Sequence, residues 1–217
     1  MTQEPNRGDS DAGNKSRPIS PAMIMTLATV QVEGGLTVLA IIIAYFAKIS
    51  LWEMLTVTPF ALVLGVLGTL PMFLLCYFVY KLPGKAIEFT RRFMKMMHHD
   101  FVRHCSVTQL LLIAILSGIG EELFFRGILQ TTFTHWCGGE TRGLVLAIVI
   151  TSILFGLAHP ISKLYVFLCF VIGLYLGVIF VWSGNNLIAP ILLHAVYNFV
   201  IFLTMPRMIG FSKKSKA

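Results

Sequence analysis

Six stretches of the chain are apolar over lengths that approach a bilayer crossing, and short polar or basic connections separate them. They run over Ala22–Ala47, Val57–Tyr80, Val107–Leu129, Leu144–Ala158, Leu164–Val181 and Leu187–Met205. A helix needs about twenty mainly apolar residues to cross the hydrocarbon core. The pattern therefore predicts an all-α, polytopic transmembrane helical bundle of about six spans, some of them short, with no internal repeat. Pro59, Pro71 and Pro190 fall within or near the ends of these spans, where neighbouring helices or water must satisfy the carbonyls that proline frees. Gly173 and Gly177 make a GxxxG step that permits close helix approach.

Between the second and third spans lies "KAIEFTRRFMKMMHHDFVRHC". At 100° per residue, Phe93, Met94, Met97 and Phe101 share one face, while Arg91, Arg92, Lys95, His99 and Arg103 cover the other. A basic amphipathic helix on the anionic inner leaflet is expected, anchoring or connecting in preference to gating a substrate. The chain divides into a disordered polar leader (1–20), two spans with this helix (21–106), a core (107–205) and a basic tail (206–217). The leader has no cleavable signal pattern.

Composition agrees with the pattern: 56% of residues are hydrophobic and 12% charged, with mean hydropathy +0.80. The net charge of +7 would suggest nucleic acid in a soluble chain. Here the cations lie between or after spans, so no nucleic-acid partner is implied and the bilayer is the partner. Fourteen Lys and Arg side chains fall on one side of the spans, against Lys48 and Arg142 on the other. Both termini are thereby placed in the cytoplasm, and the compact chain suits a bacterial inner (plasma) membrane. The pattern specifies no oligomeric state. Cys76, Cys105, Cys137 and Cys169 have no CxxC spacing and read as small core residues.

One span departs from this economy: "GIGEELFFRGILQ" carries Glu121, Glu122 and Arg126. Glu122 and Arg126, four apart with the glutamate N-terminal, can pair along one helix face. On a regular helix Glu121 lies about 140° from Arg126, which leaves it without a local partner. A lone carboxylate there costs roughly 2.5–3.5 kcal/mol on insertion scales, so it ought to face a polar cavity or other helices. "FGLAH" adds Phe155 and His159 at i,i+4, and "HAVYN" adds His194 and Asn198 at the same spacing. Each group alone reads as interhelical glue or a satisfied helix end. A carboxylate, two imidazoles and a carboxamide on three spans exceed what association needs. They suit an ion pathway or acyl-bond hydrolysis, in which carboxylate or imidazole takes a proton from water and donors such as Asn198 and a histidine N–H hold the oxyanion. There is no G-x-S-x-G elbow, and no serine or cysteine has a motif-level link to a base.

In order and spacing the three stretches resemble the CPBP intramembrane proteases, which include CAAX prenyl endopeptidases and Abi-type proteins. EExxxR is matched by Glu121, Glu122 and Arg126, FxxxH by Phe155 and His159, and HxxxN by His194 and Asn198. The resemblance covers roughly residues 107 to 205. It implies an endopeptidase acting on a membrane-associated peptide or protein, with Glu121 and His159 activating water and His194 and Asn198 stabilising the oxyanion. Glu122 and Arg126 would support the site. The family has also been described as metalloproteases, and Glu121, His159 and His194 could supply three zinc ligands with water as the fourth. The metal-free form, with no cofactor, is favoured because the carboxamide and spare histidine suit an oxyanion hole.

Alternatives are a non-catalytic immunity or scaffold protein with the same geometry, and an ion pathway. Gln31 and Glu33 in the first span are not covered by the motifs; pairing with another helix is expected over lining the cavity. On these boundaries Glu121 lies well inside its span and His159 at a cytoplasmic end, at different depths for straight, untilted helices.

Overall fold

The computed structural model describes residues 19–139 and 141–208, excepting the side chains of 205–208. The expected leader up to residue 18 and the basic tail from residue 209 lie outside the described residues. The described residues are helical, with no strand among them. The helices are α1 (Pro21–Ala47), α2 (Pro59–Leu67), α3 (Thr69–Lys81), α4 (Lys85–Asp100), α5 (Val107–Glu122), α6 (Thr131–Trp136), α7 (Thr141–Leu157), α8 (Lys163–Trp182) and α9 (Ile188–Met208). A π-helical segment, Leu123–Gln130, joins α5 to α6.

Among the described residues, four helical runs are long and apolar enough to cross a membrane: Pro21–Ala47, Pro59–Lys81, Val107–Trp136 and Lys163–Trp182. Thr141–Leu157 and Ile188–Thr204 are apolar but shorter. Large apolar side chains such as Ile41, Leu67, Val107 and Phe167 point outward, as lipid-facing positions of an integral membrane protein do.

Local chemistry sets the helix starts. Thr58 caps α2 ahead of Pro59, and Ser162 caps α8 by accepting from Tyr165 N–H. Ser106 and Gln109 form a reciprocal capping box that starts α5. The three prolines all sit in first helical turns, Pro59 opening α2 and Pro71 and Pro190 each third in its helix, where a missing N–H breaks no helical bond. Carbonyl rescue is instead needed at Gly68, where the second apolar stretch divides into α2 and α3. Tyr175 Oη donates to Gly68 O at 2.8 Å. A Cβ at Gly68 would fall 2.8 Å from a Leu193 methyl, so glycine also lets α9 pack close.

The third span does not end at Leu129; the helical path continues to Trp136. Thr134 Oγ1 donates to Gln130 O at 2.8 Å and Thr131 Oγ1 to Arg126 O at 3.1 Å, so the threonines satisfy themselves within the helix. This extension removes the expected depth mismatch. Glu121 is midway along Val107–Trp136, and short α7 returns antiparallel from the same end, after a turn at Gly138 and Gly139. His159, just beyond the far end of α7, is thereby brought to 3.7 Å from Glu121.

Candidate active site

Glu122 is fully buried, and its Oε1 accepts from Arg126 Nη1 at 2.9 Å and from His194 Nδ1 at 2.8 Å. Arg126, 1% exposed, donates its other arm to Gly173 O at 3.0 Å, and its guanidinium lies 4.7 Å from the Phe155 ring centroid. One turn on, Gln130 donates to Gly177 O at 3.2 Å. The GxxxG step therefore does two jobs. A Cβ at Gly173 would fall 3.0 Å from Ser152 Cα of α7, so α7 and α8 meet at backbone distance, and the glycine carbonyls receive Arg126 and Gln130.

Leu123–Gln130 is π-helical, so regular helical angles stop at Glu122 and the 140° separation expected between Glu121 and Arg126 does not apply. The Glu122–Arg126 pair survives the change. π-turns are frequent at functional sites because they re-aim side chains; here Phe124 and Phe125 pack into the core while Arg126 turns inward to Glu122.

Glu121 is otherwise placed. Its Oε2 is buried without a hydrogen-bond partner and lies 3.7 Å from His159 Nε2. His159 Nδ1 sits 2.8 Å from Phe155 O. A carbonyl only accepts, so Nδ1 carries the hydrogen and Nε2 is the ring nitrogen that faces Glu121. The Phe155 ring packs against the imidazole at 4.9 Å between centroids.

Glu121, His159, His194 and Asn198 all line one cavity of ≈ 410 Å³, a size that suits a ligand site. All four expected residues are thus brought together, with buried Glu122 and Arg126 behind them and Phe155 in the same wall. The remaining wall is mainly apolar. Phe93, Met94 and Met97 of α4 line it, so three of the four residues on the helix's apolar face cover this cavity. Arg91 ties α4 to the end of α3 through Tyr80 O and Leu82 O, and Thr90 Oγ1 lies 3.2 Å from Ser162 Oγ.

Sequence reasoning missed two neighbours. Tyr165 and Cys169 of α8, one turn apart, both line the cavity wall that Glu121 shares. Their spacing, i,i+4 on an apolar helix, was the available signal. Glu33 packs on α5 beside Glu121 and does not line the cavity, whereas Gln31 is exposed.

Nδ1 of His194 is engaged by Glu122 and Nδ1 of His159 faces a carbonyl, which leaves Nε2 of each ring for the cavity. Among the described residues no group of three His, Cys, Asp or Glu side chains is placed to hold a metal ion.

Residues 104–200, somewhat under half the chain, match the Rce1-like family model, type II CAAX prenyl endopeptidase Rce1-like. At family level this is a match to CAAX-type intramembrane proteases, and it covers all three motifs. No curated protein and no solved structure matches the chain.

Proposed function

With residues 104–200 Rce1-like, we propose that the chain is an intramembrane endopeptidase. It hydrolyses a peptide bond of a membrane-associated peptide or protein, using water activated by Glu121 and His159. The observation that carries this is the 3.7 Å separation of Glu121 Oε2 and His159 Nε2. It is too long for a direct hydrogen bond, and in the reactive form, with His159 neutral, both atoms face each other as acceptors. A water between them donates one hydrogen to each, which raises the nucleophilicity of its oxygen.

The water oxygen bonds to the scissile carbonyl carbon as Glu121 takes its proton, and the resulting oxyanion is held by the Asn198 amide. His194 keeps Nδ1–H on Glu122 and, in its doubly protonated form, offers Nε2–H to the same oxyanion. As the C–N bond breaks, the proton on Glu121 passes to the leaving amine. Glu122 and Arg126 hold His194 in place, and no step uses a metal. We place both termini on the cytoplasmic side of a bacterial inner membrane, so that α4 and the cavity mouth face the cytoplasm.

The test compares new peptide termini, by mass spectrometry, in membranes from cells expressing the parent or Glu121→Gln. Termini formed only with the parent support the reading and identify a substrate. Identical maps at equal expression and folding would contradict it and favour a binding role or an ion pathway.

A further inference from the structure

Gln31 sits three residues from the middle of α1, a helix of 27 residues. At 1.5 Å per residue it lies near the centre of a hydrocarbon core about 30 Å thick. Its side chain is exposed and makes no hydrogen bond among the described residues. The expected pairing of Gln31 with another helix of the chain is therefore not made. Lipid offers an amide neither donor nor acceptor, so a helix face that carries one is incomplete.

The same face holds a second choice that the single chain does not explain. Gly34 and Gly35 follow Gln31 by one turn, and a Cβ on either would meet nothing within 4 Å. Glycine inside a helix is weaker than alanine. At Gly118 and Gly120 of α5 that weakness has a reason, because their Cβ atoms would fall 2.9 Å from Ile191 O and 2.7 Å from Glu33 O. At Gly34 and Gly35 no neighbour within the chain requires it. Small residues at membrane depth let a further backbone approach.

The face also has a defined period. Ile24, Ala28, Gln31, Gly35, Val38 and Ile42 are all exposed and follow one another in alternating steps of four and three. That is the spacing of a seam between two helices wound left-handedly round each other. Ala22, Ala40 and Ala44, half a turn away, are buried against the rest of the bundle. α1 meets the reaction cavity through Met25 and not through this seam.

We propose that two copies of the chain associate along this seam within the bilayer, with their Gln31 amides hydrogen-bonded to each other. A carboxamide carries both donors and an acceptor, so another carboxamide complements it fully. Two copies inserted in the same sense are related by a two-fold axis along the membrane normal, which runs the α1 helices parallel and sets each residue at the depth of its counterpart. Gln31 therefore faces Gln31, and one N–H···O bond in each direction closes the pair. Ala28 and Gly35, on either side, bring the backbones near enough for the amides to reach. The amides also fix the register, since a slip would return both to lipid.

The test uses purified full-length protein in vesicles of phosphatidylethanolamine and phosphatidylglycerol. Pools labelled with donor and acceptor fluorophores are mixed, and energy transfer is followed as lipid is added. In the parent it should fall along a monomer–dimer curve. Gln31→Leu, which keeps the face apolar, should weaken association about tenfold. Gly35→Leu places its side chain in space that is open in the single chain, so it should weaken association at the parental unfolding temperature. No energy transfer above random proximity in the parent, or association at parental strength in either variant, would overturn the proposal.

Disulfide trapping then locates the contact, in a variant with Cys76, Cys105, Cys137 and Cys169 replaced by alanine. Val38→Cys, on the seam, should give a linked dimer with iodine as oxidant. Val32→Cys, equally exposed but about 120° round the helix from Val38, should not. No linkage at Val38, or linkage as strong at Val32, would overturn the assignment of this face.

Discussion

His194 Nδ1 lies 2.8 Å from Oε1 of Glu122, and the same oxygen accepts from Arg126 at 2.9 Å. One fully buried carboxylate therefore fixes both the imidazole that faces the cavity and the cation behind it. Arg126→Ala leaves Glu122 without its cation, and removing one partner of a buried pair costs about 3–5 kcal/mol. Thermal unfolding in micelles should show that loss, and Glu122→Gln with Arg126→Met should recover part of it. Parental stability in Arg126→Ala would contradict the bracing role.

Gly173 meets Ser152 of α7, with a built Cβ 3.0 Å from its Cα. Gly173→Ala must push α7 from α8, and overpacking of this kind costs about 1–3 kcal/mol. The same shift carries Phe155 and His159 with α7, so cleavage should fall along with the unfolding temperature. An unchanged unfolding temperature would show that the α7–α8 contact is looser than described.

Cys169 is the buried thiol nearest the chemistry, on the cavity wall beside Tyr165. If water attacks, the thiol is a wall group. Cys169→Ala should keep cleavage within about threefold of the parent, far less than the 10²–10⁴ that a proton-transfer group contributes. Complete loss of product in a folded Cys169→Ala would point to a thiolate nucleophile.

The proposed mechanism moves protons through Glu121 and holds the oxyanion with Asn198 and His194, without a metal. On that reading, cleavage by purified protein should survive 1,10-phenanthroline, at a concentration that silences a control zinc protease. Loss of activity that added zinc restores would overturn the metal-free mechanism.

Much of this was legible along the chain because helix periodicity is local. The six apolar stretches and the i,i+4 pairs Glu122–Arg126, Phe155–His159 and His194–Asn198 depend on residues one turn apart. What escaped depends on neighbours far away in sequence. The helix end at Trp136 was hidden because Thr131 and Thr134 look like a polar boundary, yet bond back to Arg126 O and Gln130 O. The π-turn after Glu122 has no periodic signature. Glu33 gained its place only when Gly120 let α1 close on α5. The periodicity of α4 marks its apolar face, but a lipid surface and the cavity that this face covers give the same pattern.

The most direct measurement is the cleavage rate of parent, Glu121→Gln and His159→Ala in proteoliposomes, on the peptide that the terminus comparison identifies. Each variant should unfold at the parental temperature and lose about 10²–10⁴ in rate, the contribution of a group that moves a proton in the transition state. A folded variant of either residue that cleaves at the parental rate would contradict activation of water between Glu121 and His159.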